Sequence, residues 1–88
     1  MQELEYIIET FINGNKSHAK KEFKTYLHYS DTLYIDTVNC SELFGIRKTV
    51  EVLKQFNLSD TNIINSFYDN DRCNLDEVKG ILLNNFNI

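Results

Sequence analysis

The chain has 88 residues, with three glycines and neither proline nor tryptophan. One domain of that length buries about 60–65% of its unfolded surface, and 42% apolar residues suffice for one core while excluding a disordered chain. Thirteen acids against nine bases give a net charge of −4, which disfavours nucleic acid as a partner and suits a basic protein.

Leu4, Ile7, Ile8, Phe11 and Ile12 recur at helical spacing and predict a helix over about residues 2–13. Gly14 supplies the residue after its C-cap, where positive φ is tolerated. Ser17 is the predicted N-cap of a second helix, with Ala19, Phe23, Tyr26 and Leu27 on one side and Lys16, Lys20, Lys21 and Lys24 with Glu22 on the other. So short a turn predicts an antiparallel hairpin.

Thr32 to Val38 is ambiguous. Its β-branched and aromatic residues favour a strand, but a lone strand has no partner elsewhere in this sequence. Ser30-Asp31 equally suits a cap, so a short helix or an ordered loop is expected. Ser41 then reads as an N-cap, and Leu43, Phe44, Ile46, Val50, Leu53 and Phe56 predict one helix over 42–56 with Gly45 inside it. Asn57-Leu58-Ser59-Asp60 reads as a stop and a fresh cap, followed by a short helix with Ile63, Ile64, Phe67 and Tyr68. After the polar turn 69–74, Leu75, Val78, Ile81, Leu82 and Phe86 predict a last helix over about 75–86. The expected fold is all-α, an antiparallel bundle of four to five short helices in a single domain.

Chemistry-bearing motifs are few. Asp69-x-Asp71-x-Cys73 starts like a calcium loop, but Asn74 stands at its glycine position and Gly80 at its bidentate glutamate position. His18 and His28 lie about 80° apart around one helix and form no metal pair. No nucleophile motif, zinc spacing or phosphate loop occurs, so neither an enzyme nor a cofactor is expected. A helix-turn-helix reading of 42–68 fails because its second helix carries no Arg or Lys. Cys40 and Cys73 are expected to be free thiols. The acidic start, Glu3 and Glu5, is unlike a secretory leader, and the longest apolar run is far short of a membrane span. A cytoplasmic location is expected.

Charge is segregated along the chain. Residues 16–24 carry four lysines against Glu22, whereas residues 55–77 carry Asp60, Asp69, Asp71, Asp76 and Glu77 against Arg72 and no other base. Those five acids, with Tyr68 as a rigid aromatic anchor, are the candidate partner-binding residues.

Three pieces of the chain carry a family resemblance. They are the helix ending Phe11-Ile12-Asn13-Gly14-Asn15, the string Asn39-Cys40-Ser41-Glu42-Leu43-Phe44, and the acidic stretch Tyr68-Asp69-Asn70-Asp71 before the last helix. In this order they resemble the colicin D-like immunity proteins and related immunity proteins of contact-dependent growth inhibition. Arg47, Lys48 and Lys54 depart from that pattern, where acids or neutral residues would be expected. The resemblance implies a non-catalytic inhibitor that blocks the basic groove of a tRNA-cleaving toxin with its acidic stretch. Two other readings fit the residues: a phage-encoded or regulatory assembly factor, and a nucleic-acid binder using Lys16, Lys20, Lys21 and Lys24.

Overall fold

The computed structural model describes residues 3–67 and 74–86. Among them every regular element is a helix: α1 Leu4–Ile12, α2 Lys16–Tyr29, α3 Leu33–Phe44, α4 Ile46–Gln55, α5 Asp60–Ser66 and α6 Leu75–Phe86. The all-α bundle is as expected, with six helices among the described residues where four to five were expected.

The first hairpin follows from its cap. The Gly14 N–H donates to Phe11 O and the Asn15 N–H to Thr10 O, both at 3.1 Å, with Gly14 at φ 106°. That pair of bonds is the Schellman arrangement, which satisfies carbonyls that a helix end leaves free. The chain then enters α2 directly from Asn15. Ser17, expected as the N-cap, lies inside the helix, because the Schellman turn closes two residues earlier. Leu4, Ile7, Ile8 and Phe11 of α1 are buried, as are Ala19, Phe23 and Tyr26 of α2.

The ambiguous segment is helical from Leu33 onward, one of the two forms expected for it. Residues 33–44 form α3, and Gly45 separates it from α4. Gly45 has φ 88° and ψ 151°, a backbone region essentially reserved for glycine. One residue thus ends α3 and starts α4, so the expected single helix over 42–56 is two. Ser41 is no N-cap. It is buried in the interior of α3, where its hydroxyl donates to Val38 O at 2.7 Å.

The end of α4 repeats the first turn with a different residue. The Asn57 N–H donates to Lys54 O at 3.0 Å and the Leu58 N–H to Leu53 O at 3.3 Å. Asn57, at φ 67°, takes the left-handed position, which asparagine tolerates better than most side chains. Ser59 caps α5 by accepting from the Asn62 N–H at 3.2 Å, and Asn74 Oδ1 accepts from the Asp76 N–H at 2.9 Å at the start of α6.

Packing centres on α4, which touches α1, α3, α5 and α6. Phe56, immediately after it, stacks on Phe23 at 4.6 Å and meets Phe11 edge-on at 5.3 Å. These ring contacts join the α1–α2 hairpin to the end of the central helix. Two core hydroxyls, Thr37 Oγ1 and Thr49 Oγ1, are buried without a hydrogen-bond partner among the described residues.

Two sets of substitutions test this account. A Cβ at Gly45 would meet nothing within 4 Å, so the cost of Gly45→Ala is the backbone alone, about 1–3 kcal/mol. Gly80→Ala, inside α6 and equally unobstructed, gains up to about 1 kcal/mol. Urea unfolding followed by circular dichroism is expected to show these opposite signs. Thr49→Val keeps the shape and removes an unsatisfied hydroxyl, which is expected to add about 1 kcal/mol and raise Tm by roughly 4–8 °C.

Candidate functional site

The C-terminal end of α2, the 30–32 turn and the middle of α3 meet the start of α1 around a cleft of about 410 Å³. It is lined by the acids Glu3, Glu5 and Asp36 together with Leu4, Tyr26, Ser30, Thr32, Asn39 and Cys40. No cation stands among those described lining residues. Helix geometry places the acids: Glu3 precedes the first turn of α1, Glu5 lies in it, and Asp36 occupies the first turn of α3.

Asp36 is held firmly. Its Oδ2 accepts a hydrogen bond from the Tyr26 hydroxyl and one from Thr32 Oγ1 at 2.9 Å. Thr32 is in turn fixed by Ser30, whose Oγ lies 3.1 Å from Thr32 Oγ1 and accepts from the Thr32 N–H at 3.2 Å. This network ties α2 to α3 across the turn. Burial pushes the Tyr26 phenol well above its ordinary range, and the hydrogen bond to Asp36 adds to the shift. The Cys40 thiol is 1% exposed. Burial raises it from 9.0 to about 12, with smaller contributions from the negative charges of Glu5 and Asp36. A thiol so held stays protonated and is a poor nucleophile.

The acids singled out in the sequence have separate surroundings. Asp60 is exposed in the first turn of α5 and forms an ion pair with Lys54. Asp76 and Glu77 are exposed in the first turn of α6, where the helix dipole favours them. Tyr68, Asp69 and Asp71 lie outside the described residues, as does the turn that resembled a calcium loop. Among the described residues, no group of three or more His, Cys, Asp or Glu is placed to hold a metal. His18 lies 3.5 Å from Glu22, and His28 meets Tyr29 edge-on.

The lysine stripe is a separate face. Lys16, Lys20, Lys21 and Lys24 are all exposed along α2. The Lys16 Nζ sits 5.4 Å from the Phe11 ring centroid, and Lys16 shares a shallow cleft with Lys48. Lys48 is itself paired with Glu51 at 3.7 Å.

The sequence reading did not single out Glu3, Glu5, Tyr26, Asp36 or Cys40 as site residues, because it placed Tyr26 on a core face, weighed acids by their density along the chain and read the 30–40 region only as a short helix or an ordered loop. Reading 33–44 as a helix supplies the missing signal, since Asp36 and Cys40 then fall one turn apart on one face. No helix among the described residues is long and apolar enough to cross a membrane. Comparison with protein-family models, curated proteins and solved structures finds no match to the chain.

The raised thiol and phenol have a stability consequence. A group protonated more tightly in the folded state stabilises it below the unfolded pKa and loses that contribution as pH rises toward the folded value. For Cys40 the window runs from 9.0 to about 12, and Tyr26 adds a loss that begins near 10.0. Unfolding free energy from urea titrations is expected to be level just below this window and to fall within it. Cys40→Val is expected to flatten the early part of that fall, and an unchanged slope would contradict the assignment.

Proposed function

We propose that the chain is a non-catalytic inhibitor that docks on a basic protein, with a nuclease toxin of the kind neutralised by colicin D-like immunity proteins as the partner. The observation that carries this reading is the cleft where Glu3, Glu5 and Asp36 converge with no cation in its described lining. A nuclease groove is lined with Lys and Arg that hold phosphates. Carboxylates presented to such a groove replace the phosphates through charge-assisted hydrogen bonds and exclude the substrate by occupancy. Long-range attraction between an acidic surface and a basic groove also speeds encounter. No bond is made or broken, so the function needs no cofactor. Asp76 and Glu77 are exposed acids on α6 outside that lining, whereas Asp60 is already engaged by Lys54 and contributes less.

The experiment uses the reading frame immediately upstream of the gene. Co-expression with the chain is expected to relieve growth inhibition by that product, and the purified pair is expected to associate with an affinity that falls steeply with salt. The double substitution Glu3→Gln/Glu5→Gln is expected to weaken binding about tenfold or more and to shallow the salt dependence. Asp69→Asn/Asp71→Asn/Asp76→Asn tests the stretch before α6 in the same way. Absence of both protection and complex formation would defeat the reading. RNA affinity of the chain alone, lost with Lys20, Lys21 and Lys24 changed to Gln, would favour the nucleic-acid reading instead.

A further inference from the structure

A second concavity opens on the other side of the 30–32 turn. It is a groove of about 360 Å³ between the end of α2, the start of α3 and α5, with Leu27, Leu33, Tyr34 and Leu58 among its walls. Leu27 is 41% and Tyr34 53% exposed, so two large side chains are left wet where they line a concave surface. Asp31 is the single charged residue among the described lining residues. Ser30 lines both this groove and the acidic cleft, so the two mouths adjoin across one turn.

We infer that groove and cleft form one docking surface for a protein segment that carries a large apolar side chain beside a Lys or Arg. Charge complementarity selects this occupant. The carboxylates of Glu3, Glu5 and Asp36 on one side of the turn and of Asp31 on the other meet no cation in either described lining. The apolar side chain fills the space between Leu27, Tyr34 and Leu58, and the cation reaches over Ser30 into the cleft. The groove contributes what an acidic surface alone lacks. Burial of apolar area does not weaken with salt, and a pocket of this shape admits some side chains and rejects others. The inference rests on the basic partner proposed above and adds the apolar half of its recognition.

A random peptide library displayed on phage, selected against the immobilised full-length chain, tests it. Enriched peptides are expected to pair Leu, Phe, Ile or Met with an adjacent Lys or Arg. Their affinity is expected to drop about tenfold with Leu27→Ser/Tyr34→Ser and by a similar factor with Glu5→Gln/Asp31→Asn. Both pairs lie at exposed positions, and shifts of the backbone amide resonances around Leu27, Tyr34 and Leu58 in the unsubstituted chain give a second readout. No enriched family, peptides lacking either half of the pair, or shifts confined to other faces would overturn the proposal. A dimer in sedimentation that Tyr34→Ser dissolves would also overturn it, by assigning the groove to a second copy. Selection reports on the groove whatever the natural partner is. Failure of toxin protection with successful selection removes the toxin alone, and toxin binding indifferent to Leu27→Ser/Tyr34→Ser removes the groove alone.

Discussion

The backbone at Gly45, at φ 88° and ψ 151°, is the constraint on which the rest of the fold depends. A continuous helix from Leu33 to Gln55 would run about 34 Å at 1.5 Å per residue, longer than the 31 Å greatest extent of the molecule. Breaking it lets α3 and α4 pack on each other as well as on α1. It also leaves α4 short enough to be surrounded. Phe56 then receives Phe11 and Phe23, and the α1–α2 hairpin is anchored to the end of the central helix. The same break sets the direction of α3, whose Asp36 meets Tyr26 of α2.

Much of this was legible in the sequence wherever a residue has a single strong local reason to be where it is. Gly14 marks a Schellman turn because positive φ is nearly free only for glycine. Ser59 marks a start because its hydroxyl can accept from the Asn62 N–H. The apolar stripes of α1 and α6 read directly as helices at about their observed bounds. α3 failed that test for a specific reason. Its stripe at helical spacing is Leu33, Asp36, Thr37, Cys40, Ser41 and Phe44, in which Asp36, Thr37 and Ser41 interrupt the apolar pattern. Thr37, Cys40 and Ser41 are nonetheless buried. Polar members on the inward face break the hydrophobic period, so the segment read only as a short helix or an ordered loop. Ser41 looked like a cap for the same reason: a hydroxyl that bonds back to Val38 O inside a helix is indistinguishable in sequence from one that starts a helix.

The candidate site was less legible than the fold, because it is made of pairs that helix packing brings together. Density along the chain drew attention to Asp60, Asp69, Asp71, Asp76 and Glu77. Of these, Asp60 faces Lys54 six positions earlier, a pairing that spans the α4–α5 turn. Glu3, Glu5 and Asp36 are too far apart in sequence to register as a cluster, yet α1 and α3 pack directly and present all three to one cleft. Linear charge counts weigh every acid equally. The fold distinguishes those already compensated from those whose field is unopposed.

The acids of the cleft also differ in rigidity, and for a basic partner that difference divides their roles. Glu3 and Glu5 are exposed, and among the described residues neither side chain is held by hydrogen bonds as Asp36 is. Such side chains add to the long-range field that governs encounter, but ordering them on binding costs rotamer entropy. Asp36 is already aligned by Tyr26 and Thr32, so little of that cost remains. Both bonds end on Oδ2, which directs the carboxylate without engaging Oδ1 in either. A cation entering the cleft therefore meets one carboxylate of defined direction and two that adapt around it. Salt dependence of the association rate should follow the adaptable pair. Lifetime of the complex should follow Asp36 and the apolar groove across the turn.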